Sequence, residues 1–347
     1  MKKLVAIILT LTLCCIAAVA FASAGAVKIG MAMGDLRLER WQRDVAYMEA
    51  AAAEYGYELT VLSADGDENT QLNQIETMLG QGIQVLLIMP VSSKTMSTAV
   101  DACHADGVKV ISYDRMIENA DLDYFVTFDT EGVGRMQASS LLKAVPGGGK
   151  WFQITGNADD SNGQLFEKGQ MAVIQPLIDE GKITIVGYAN ANGWNADAAM
   201  PKMEDALTAN DNQIDAVLAA NDGIATGCIA ALTDQGLAGK IPVTGQDADL
   251  IACQHIAEGT QYMTVYKPLN QLAYAAIDFA GKVVKGEDVS GYINIINNNG
   301  KVDVPTYALP LTEVTKDNLI DTIIKDGFHS YEEVYANVPE DQRPPRP

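Results

Sequence analysis

The polar residues that close the short apolar runs of this chain belong to one chemical kind. VKVISY is followed by Asp114 and Arg115, and WFQITG leads into NADDSNG with Asp160 and Asn162. AVLAA ends on Asn221 and Asp222, VTGQ on Asp247 and MTVY on Lys267. Two tryptophans stand in comparable places: Trp41 in GDLRLERWQRD, just after VKIGMAM, and Trp194 in ANANGWNADAA. Carboxylates, amides, a guanidinium and an ammonium beside planar apolar rings are what a small polyhydroxylated ring requires. Each hydroxyl both donates and accepts, so amides and ionised groups hold it with charge-assisted bonds. The C–H faces of such a ring are apolar and lie well on aromatic surfaces. Recognition of a monosaccharide is therefore the chemistry these residues favour.

Each residue also has a plainer role open to it. Asp or Asn after a strand commonly caps the next helix, which suits Asp222 and Asp249 as well as binding does. Trp41 begins the apolar stripe of its own helix, and Trp194 follows the turn Asn192-Gly193. Around Trp41, the side chains of Arg37, Glu39 and Arg43 read as a solvated first helical turn. Five polar strand ends of mixed charge nevertheless exceed what capping needs.

Catalysis fares worse. The chain has no G-x-S-x-G elbow and no P-loop, and GMAMGD lacks the G-x-G-x-x-G fingerprint of dinucleotide sites. A glycosidase pair, Asp159-Asp160 or Asp114 with Asp247, would need one acid in an apolar pocket; these stand among Arg, Lys and Asn. His104, His255 and His329 lie far apart with no metal-ligand spacing. No enzyme, cofactor or metal is expected.

The elements that position such a site can be read from the periodicity. Ten strand-like runs, most nearly continuous in apolar residues, alternate with helical patterns, as in ERWQRDVAYMEAAAAEYG. There Trp41, Val45, Met48, Ala52 and Tyr55 keep helical spacing and Gly56 ends the helix. Alternating β and α units mean an α/β fold with parallel sheets and right-handed crossovers, and ten strands are enough for two lobes. In open parallel sheets a ligand binds beyond the carboxyl ends of the strands, where the polar residues stand.

The first 24 residues, two lysines followed by an apolar stretch and Ala22-Ser23-Ala24, have the form of a secretory signal peptide. Cys14 and Cys15 raise lipidation as an alternative, which Leu13 before them disfavours. The net charge of −21, −23 without Lys2 and Lys3, argues against nucleic acid or anionic lipid as a partner. Cys103, Cys228 and Cys253 read as buried free thiols, with a Cys228–Cys253 bridge as the alternative.

Five longer segments, KIGMAMGDLRLERWQRD, SYDRMI, TGQDADL, AEGTQYMTVYKP and IIKDGFH, resemble the periplasmic sugar-binding family of bacterial ABC transporters, of ribose-binding type, and within it the D-xylose-binding members. The resemblance spans about residues 27 to 330. It implies the type I periplasmic binding protein fold: two Rossmann-like lobes joined by a three-segment hinge near residues 129, 265 and 293. The lobes would be 27–129 with 266–292 and 130–265 with 293–330, followed by a disordered tail, 331–347. It further implies that Arg40, Trp41, Asp114 and Arg115 bind from the first lobe, and Asn162, Trp194, Asn221 and Asp247 from the second. Lys267 would reach in at a hinge, the two tryptophans would sandwich the ring, and Asp160 would orient Asn162. The expected partners are a monosaccharide, D-xylose first, and an ABC permease, for an extracytoplasmic monomer. D-glucose or another pentose is the alternative ligand, and sensing, with a chemoreceptor as partner, the alternative role. A regulator of the same fold would need an N-terminal DNA-binding segment where this chain has its signal peptide.

Overall fold

The computed structural model describes residues 25–347, and the expected signal peptide lies outside them. In chain order the strands are β1 (Lys28–Met33), β2 (Glu58–Ser63), β3 (Val85–Met89), β4 (Lys109–Tyr113), β5 (Tyr124–Phe128), β6 (Gly149–Thr155), β7 (Ile183–Asn190), β8 (Ala216–Ala219), β9 (Met263–Tyr266), β10 (Ile295–Asn298), β11 (Asp303–Leu309) and β12 (Thr312–Thr315). The helices are α1 (Glu39–Tyr55), α2 (Glu68–Gly80), α3 (Ser97–Ala105), α4 (Thr130–Ala144), α5 (Ser161–Asp179), α6 (Ala196–Ala209), α7 (Asp222–Asp234), α8 (Leu250–Glu258), α9 (Leu269–Lys285) and α10 (Tyr331–Val334).

Two sheets result. The first runs β2-β1-β3-β4-β5-β11-β10, parallel except for the edge strand β10. Its inner strand β3, VLLIM, is buried at every position because helices cover both faces. The second runs β7-β6-β8. A parallel bridge from Val217 to Val243, and bonds from Tyr262 N–H to Val243 O and Val265 N–H to Gly245 O, extend it to the antiparallel ribbon β9-β12.

The chain crosses between the lobes at Asp129, at Lys267-Pro268 and at Pro310-Leu311. The third lies away from the expected residue 293. Residues 293–309, expected in the second lobe, belong to the first, because β11 pairs with β5 (Thr306 with Phe125) and β10 pairs back onto β11.

The tail departs from expectation as well. Tyr331, Val334, Tyr335 and Val338 are buried in the same cluster as Trp41 and Met48. A reciprocal Ser330–Glu333 capping box opens α10, and Gln254 Nε2 donates to Glu333 O at 2.9 Å. The prolines and charges of ANVPEDQRPPRP predict disorder over 331–347, whereas Tyr331, Val334, Tyr335 and Val338 keep helical spacing and dock. Cys103, Cys228 and Cys253 are free and buried, so the alternative bridge does not form.

The second lobe depends on close helix packing. A Cβ at Gly134 of α4 would lie 2.0 Å from Phe166 O, and one at Gly169 of α5 would lie 2.0 Å from Glu131 O. Both obstacles are backbone, which cannot swing aside. Gly134→Ala is expected to destabilise by about 1–3 kcal/mol, read as a lower urea midpoint with an unchanged m-value. A midpoint equal to that of the unsubstituted protein would refute the packing account.

Candidate functional site

The site forms where the carboxyl ends of both sheets face each other. Its first wall is α1. Nothing caps this helix with a side chain, and Gly56, at φ 70°, ends it in the left-handed conformation. The buried face of α1 carries Arg40, Trp41, Asp44, Met48, Ala51 and Ala52, while Val45 is half-buried and Tyr55 exposed. The helix is thus rotated from the stripe its apolar spacing suggests, and buries an i,i+4 ion pair, Arg40 Nε to Asp44 Oδ2 at 3.1 Å.

Arg40 is the electrostatic centre. Its guanidinium bonds Asp114, reaches Asp247 Oδ1 at 3.5 Å and lies 4.1 Å from the Trp41 ring centroid. Burial alone would make it a weaker base, but Asp114, Asp44 and Asp247 outweigh burial and hold its proton more firmly than usual. Burial likewise pushes Asp114 up, yet Arg40, Lys267 and Arg115 leave it below the ordinary carboxylate range. Asp44 ends higher, at about 6, because burial wins there over Arg40 and the Tyr113 hydroxyl, which donates to it at 2.5 Å.

The second wall is built from the second lobe's strand ends. Asp160 Oδ1 accepts from Asn162 N–H at 2.9 Å, capping α5, and Asp160 Oδ2 accepts from Trp194 Nε1 at 3.0 Å. Asp160 therefore sets both Asn162 and the indole. Asn221 Oδ1 caps α7 through Ile224 N–H at 3.0 Å, and its amide donates to Trp194 O at 3.1 Å. Capping and site-building are here the same act. Asp222 does not face the cleft: it accepts from Gln261 Nε2, Thr264 Oγ1 and Asp249 N–H, each at 2.9 Å. Burial, then Asp247, raises its pKa to about 8.

Backbone strain gathers at the same place. Asp114 (φ 61°), Trp194 (φ 57°), Asp247 (φ 101°) and Ala248 (φ 55°) occupy the left-handed region without being glycine. Such conformations persist only where the surroundings impose them.

The walls are joined directly. Asn162 Nδ2 donates to Asp114 Oδ1 at 2.7 Å, and Arg115 Nε lies 2.8 Å from Asp160 Oδ2 without the alignment of a hydrogen bond. Ser161 N–H donates to Ser93 Oγ and Met116 N–H donates to Ser161 Oγ, at 3.1 and 3.2 Å. Between the walls is a narrow cavity lined by Leu38, Arg40, Trp41, Asp114, Arg115, Asp160, Asn162, Phe166, Trp194, Asn221, Gln246 and Asp247. Asn162 Oδ1 and Arg115 Nε are buried there without a hydrogen-bond partner among the described residues, so both can serve a polyol. A larger groove, between Glu204 and Gln235, has no aromatic ring among its lining residues.

Of the nine residues expected at the site, eight line this cavity. Lys267 stands behind it, its Nζ 2.8 Å from Asp247 Oδ1 and 3.1 Å from Gln246 Oε1. It is a support for Asp247 rather than part of the wall. Leu38, Phe166 and Gln246 went unread. Phe166 meets Trp194 edge-on, with ring centroids 6.0 Å apart, and lies four residues past Asn162 on α5, a helical spacing that could have revealed it. Arg43 is not merely solvated either, because it reaches Phe328 O at 3.1 Å.

Two parallel-sheet lobes with three crossings, closed on a polar and aromatic cavity, define a solute-binding receptor of the type I periplasmic binding protein class. The sequence model described as periplasmic binding protein domain matches residues 29–288, and the chain belongs to that family. It is 46% identical to the D-xylose-binding periplasmic protein of Escherichia coli strain K12, across 90% of this chain and 94% of that one. It is 31% identical to the multiple sugar-binding periplasmic receptor of Rhizobium radiobacter, across 88% and 92% of the two chains. Among solved structures, the carbohydrate transporter solute-binding protein of Chloroflexus aurantiacus in complex with D-glucose superimposes with a TM-score of 0.83 at 30% identity, over 88% of this chain and 97% of that one.

Proposed function

We propose that this protein is the extracytoplasmic receptor of an ABC sugar importer. It binds a monosaccharide, D-xylose first, in the interlobe cavity and presents its closed form to the permease. The observation that carries this reading is a cavity lined from both lobes, with one tryptophan and at least one unpaired buried polar group from each. The relatives that bind D-xylose support the choice of sugar. A ligand bonding both walls favours the closed state over the open one, and closure is the resulting population shift.

Trp41 and Trp194 sandwich the sugar ring in this reading. Arg40, Asp114 and Arg115 bond hydroxyls from one side and Asn162, Asn221 and Asp247 from the other. Residues 1–24 act as the export signal, and the mature chain works as a monomer. D-glucose is the second ligand to test, because the R. radiobacter receptor is named for several sugars and the C. aurantiacus structure holds D-glucose. The role is binding without turnover, so incubation should return D-xylose unchanged.

The test is a thermal-shift series over pentoses and hexoses, followed by calorimetry. D-xylose at a hundred times its Kd is expected to stabilise the fold by about 2.7 kcal/mol and to raise the midpoint more than equal D-glucose or L-arabinose. No shift with any monosaccharide would sink the reading.

A further inference from the structure

We infer that His329 is a positioning residue for the sugar site: clamped by Arg43, it fixes the turn that carries Asp247 by holding the Ala248 carbonyl. The inference rests on the sugar-receptor reading above and assigns a role to the C-terminal segment.

The Asp247-Ala248 turn is the most strained part of the cleft, with two consecutive non-glycine residues at positive φ. The second sheet pins one side of it, through Asp247 N–H to Val265 O at 2.9 Å and Ala248 N–H to Thr264 Oγ1 at 3.2 Å. The other side is the Ala248 carbonyl, which lies 2.8 Å from His329 Nε2 and 3.5 Å from the weak donor Cys253 Sγ. His329 is itself held. Its Nδ1 lies 3.2 Å from Arg43 Nη2, while Arg43 Nη1 donates to Phe328 O at 3.1 Å and the guanidinium lies 4.5 Å from the Phe328 ring centroid. Arg43 stands on α1, three residues past Arg40. The clamp therefore links the helix that supplies Arg40 and Trp41 to the turn that supplies Asp247 on the opposite wall.

The partners fix the imidazole's protonation. A guanidinium only donates, so Nδ1 must accept from it, and Nε2 must carry the hydrogen given to the Ala248 carbonyl. Only the neutral ring can do both. A second proton would point from Nδ1 at Arg43 and break the clamp. The charged groups around the ring are Arg43 and Glu39 on α1 and Glu333 on α10, with Asp249 following Ala248 in the chain. Burial first, and then Arg43, keep the imidazole less basic than usual, against the Ala248 carbonyl, Glu39 and Glu333. A depressed histidine stabilises the fold fully above the ordinary imidazole value of 6.5, and the clamp itself breaks only as pH falls through the ring's lower folded value.

The experiment measures D-xylose affinity by calorimetry for the unsubstituted protein, R43L, H329L and H329Q, at about pH 7.5 and in steps down to about pH 4.5, well below the ordinary imidazole value from which burial lowers this ring. Glutamine keeps an N–H donor and an acceptor but does not titrate. R43L and H329L are expected to bind about tenfold more weakly at the higher pH, and H329Q within about threefold of the unsubstituted protein. Acidification should weaken the unsubstituted protein more than H329Q, and any loss both share belongs to other groups, Asp44 and Asp222 among them. Undiminished affinity in R43L and H329L overturns the inference, and equal acid losses in H329Q and the unsubstituted protein overturn the protonation step. If H329L fails to fold, R43L, altered at a side chain still 28% exposed, and H329Q decide the matter. If the unsubstituted protein binds no sugar, the receptor reading fails and the inference with it. Full binding in every variant sinks the inference alone.

Discussion

Arg40→Leu is expected to cost about 3–5 kcal/mol of folding stability, the usual penalty for removing one partner from a buried ion network, and to abolish sugar binding. The guanidinium side chain is 4% exposed and lies among three carboxylates, Asp44, Asp114 and Asp247, none more than 6% exposed. Lys267 still neutralises Asp247 in the variant, at 2.8 Å, but Asp44 and Asp114 are left with little compensation. Lysine would not rescue the site, because one ammonium cannot span three partners in the plane of a fork. The pH dependence gives this prediction its signature. Asp114 is held below the usual range in the native protein, so its contribution is present above pH 3.8 and is lost only as pH falls through its lower folded value. Without Arg40, burial pushes Asp114 and Asp44 upward. A carboxyl with a raised folded pKa destabilises fully above that value, and the penalty shrinks as pH falls from it toward the ordinary 3.8. The stability gap between the two proteins should therefore narrow between about pH 7 and about pH 5. Urea titrations at both values decide it, and a gap under about 1 kcal/mol, or one indifferent to pH, would mean the network is no more than a surface pair.

The sequence reveals much of this site because its residues stand where strands stop. A run such as VKVISYD needs no tertiary information to place Asp114 at a sheet's carboxyl edge, and the same holds for Asn221 and Asp247. The features it hides are those set by tertiary contact. Arg40 and Asp44 are legible as an exposed i,i+4 pair, and only the packing of α1 shows that this pair is the buried face. β10, β11 and the turn between them carry Asn297-Asn298-Asn299, Gly300 and Pro305, a composition that reads as loop. Yet Asn299-Gly300 is a hairpin signal, Gly300 sits at φ 93°, the edge strand β10 tolerates asparagine, and Pro305 stands before the residues of β11 that pair with β5. Missing that hairpin displaced the third crossing from residues 310–311 to 293. Lys267 illustrates the opposite error, a strand-end residue of suitable chemistry whose reach ends on Asp247.

Gly156→Ala should weaken D-xylose binding nearly as much as Trp194→Ala does, although alanine is far from a drastic change. Gly156 follows β6 and is not at positive φ, so alanine can adopt its backbone. Its Cβ would nevertheless lie 1.9 Å from Trp194 Cε2 and 2.1 Å from Cδ2, inside the indole. The ring has little freedom to yield in place. Asp160 Oδ2 holds its N–H at 3.0 Å, Phe166 packs against it edge-on, and Asn221 Nδ2 holds the Trp194 carbonyl at 3.1 Å. Admitting one methyl group must tilt the indole away from Asp160 and out of the plane that faces the cavity. Apolar contact with a sugar face is worth about 1.5–3 kcal/mol when fully buried, so Trp194→Ala should weaken binding roughly ten- to hundredfold. Gly156→Ala should approach that loss with a smaller change in thermal midpoint than a core truncation causes. The double variant identifies the route. If glycine acts through the indole, adding Gly156→Ala to Trp194→Ala should cost no further affinity, because the obstructed ring is already gone. Additive losses in calorimetry would instead mean that Gly156 serves the sugar by some contact of its own, and the aromatic wall would have to be redrawn.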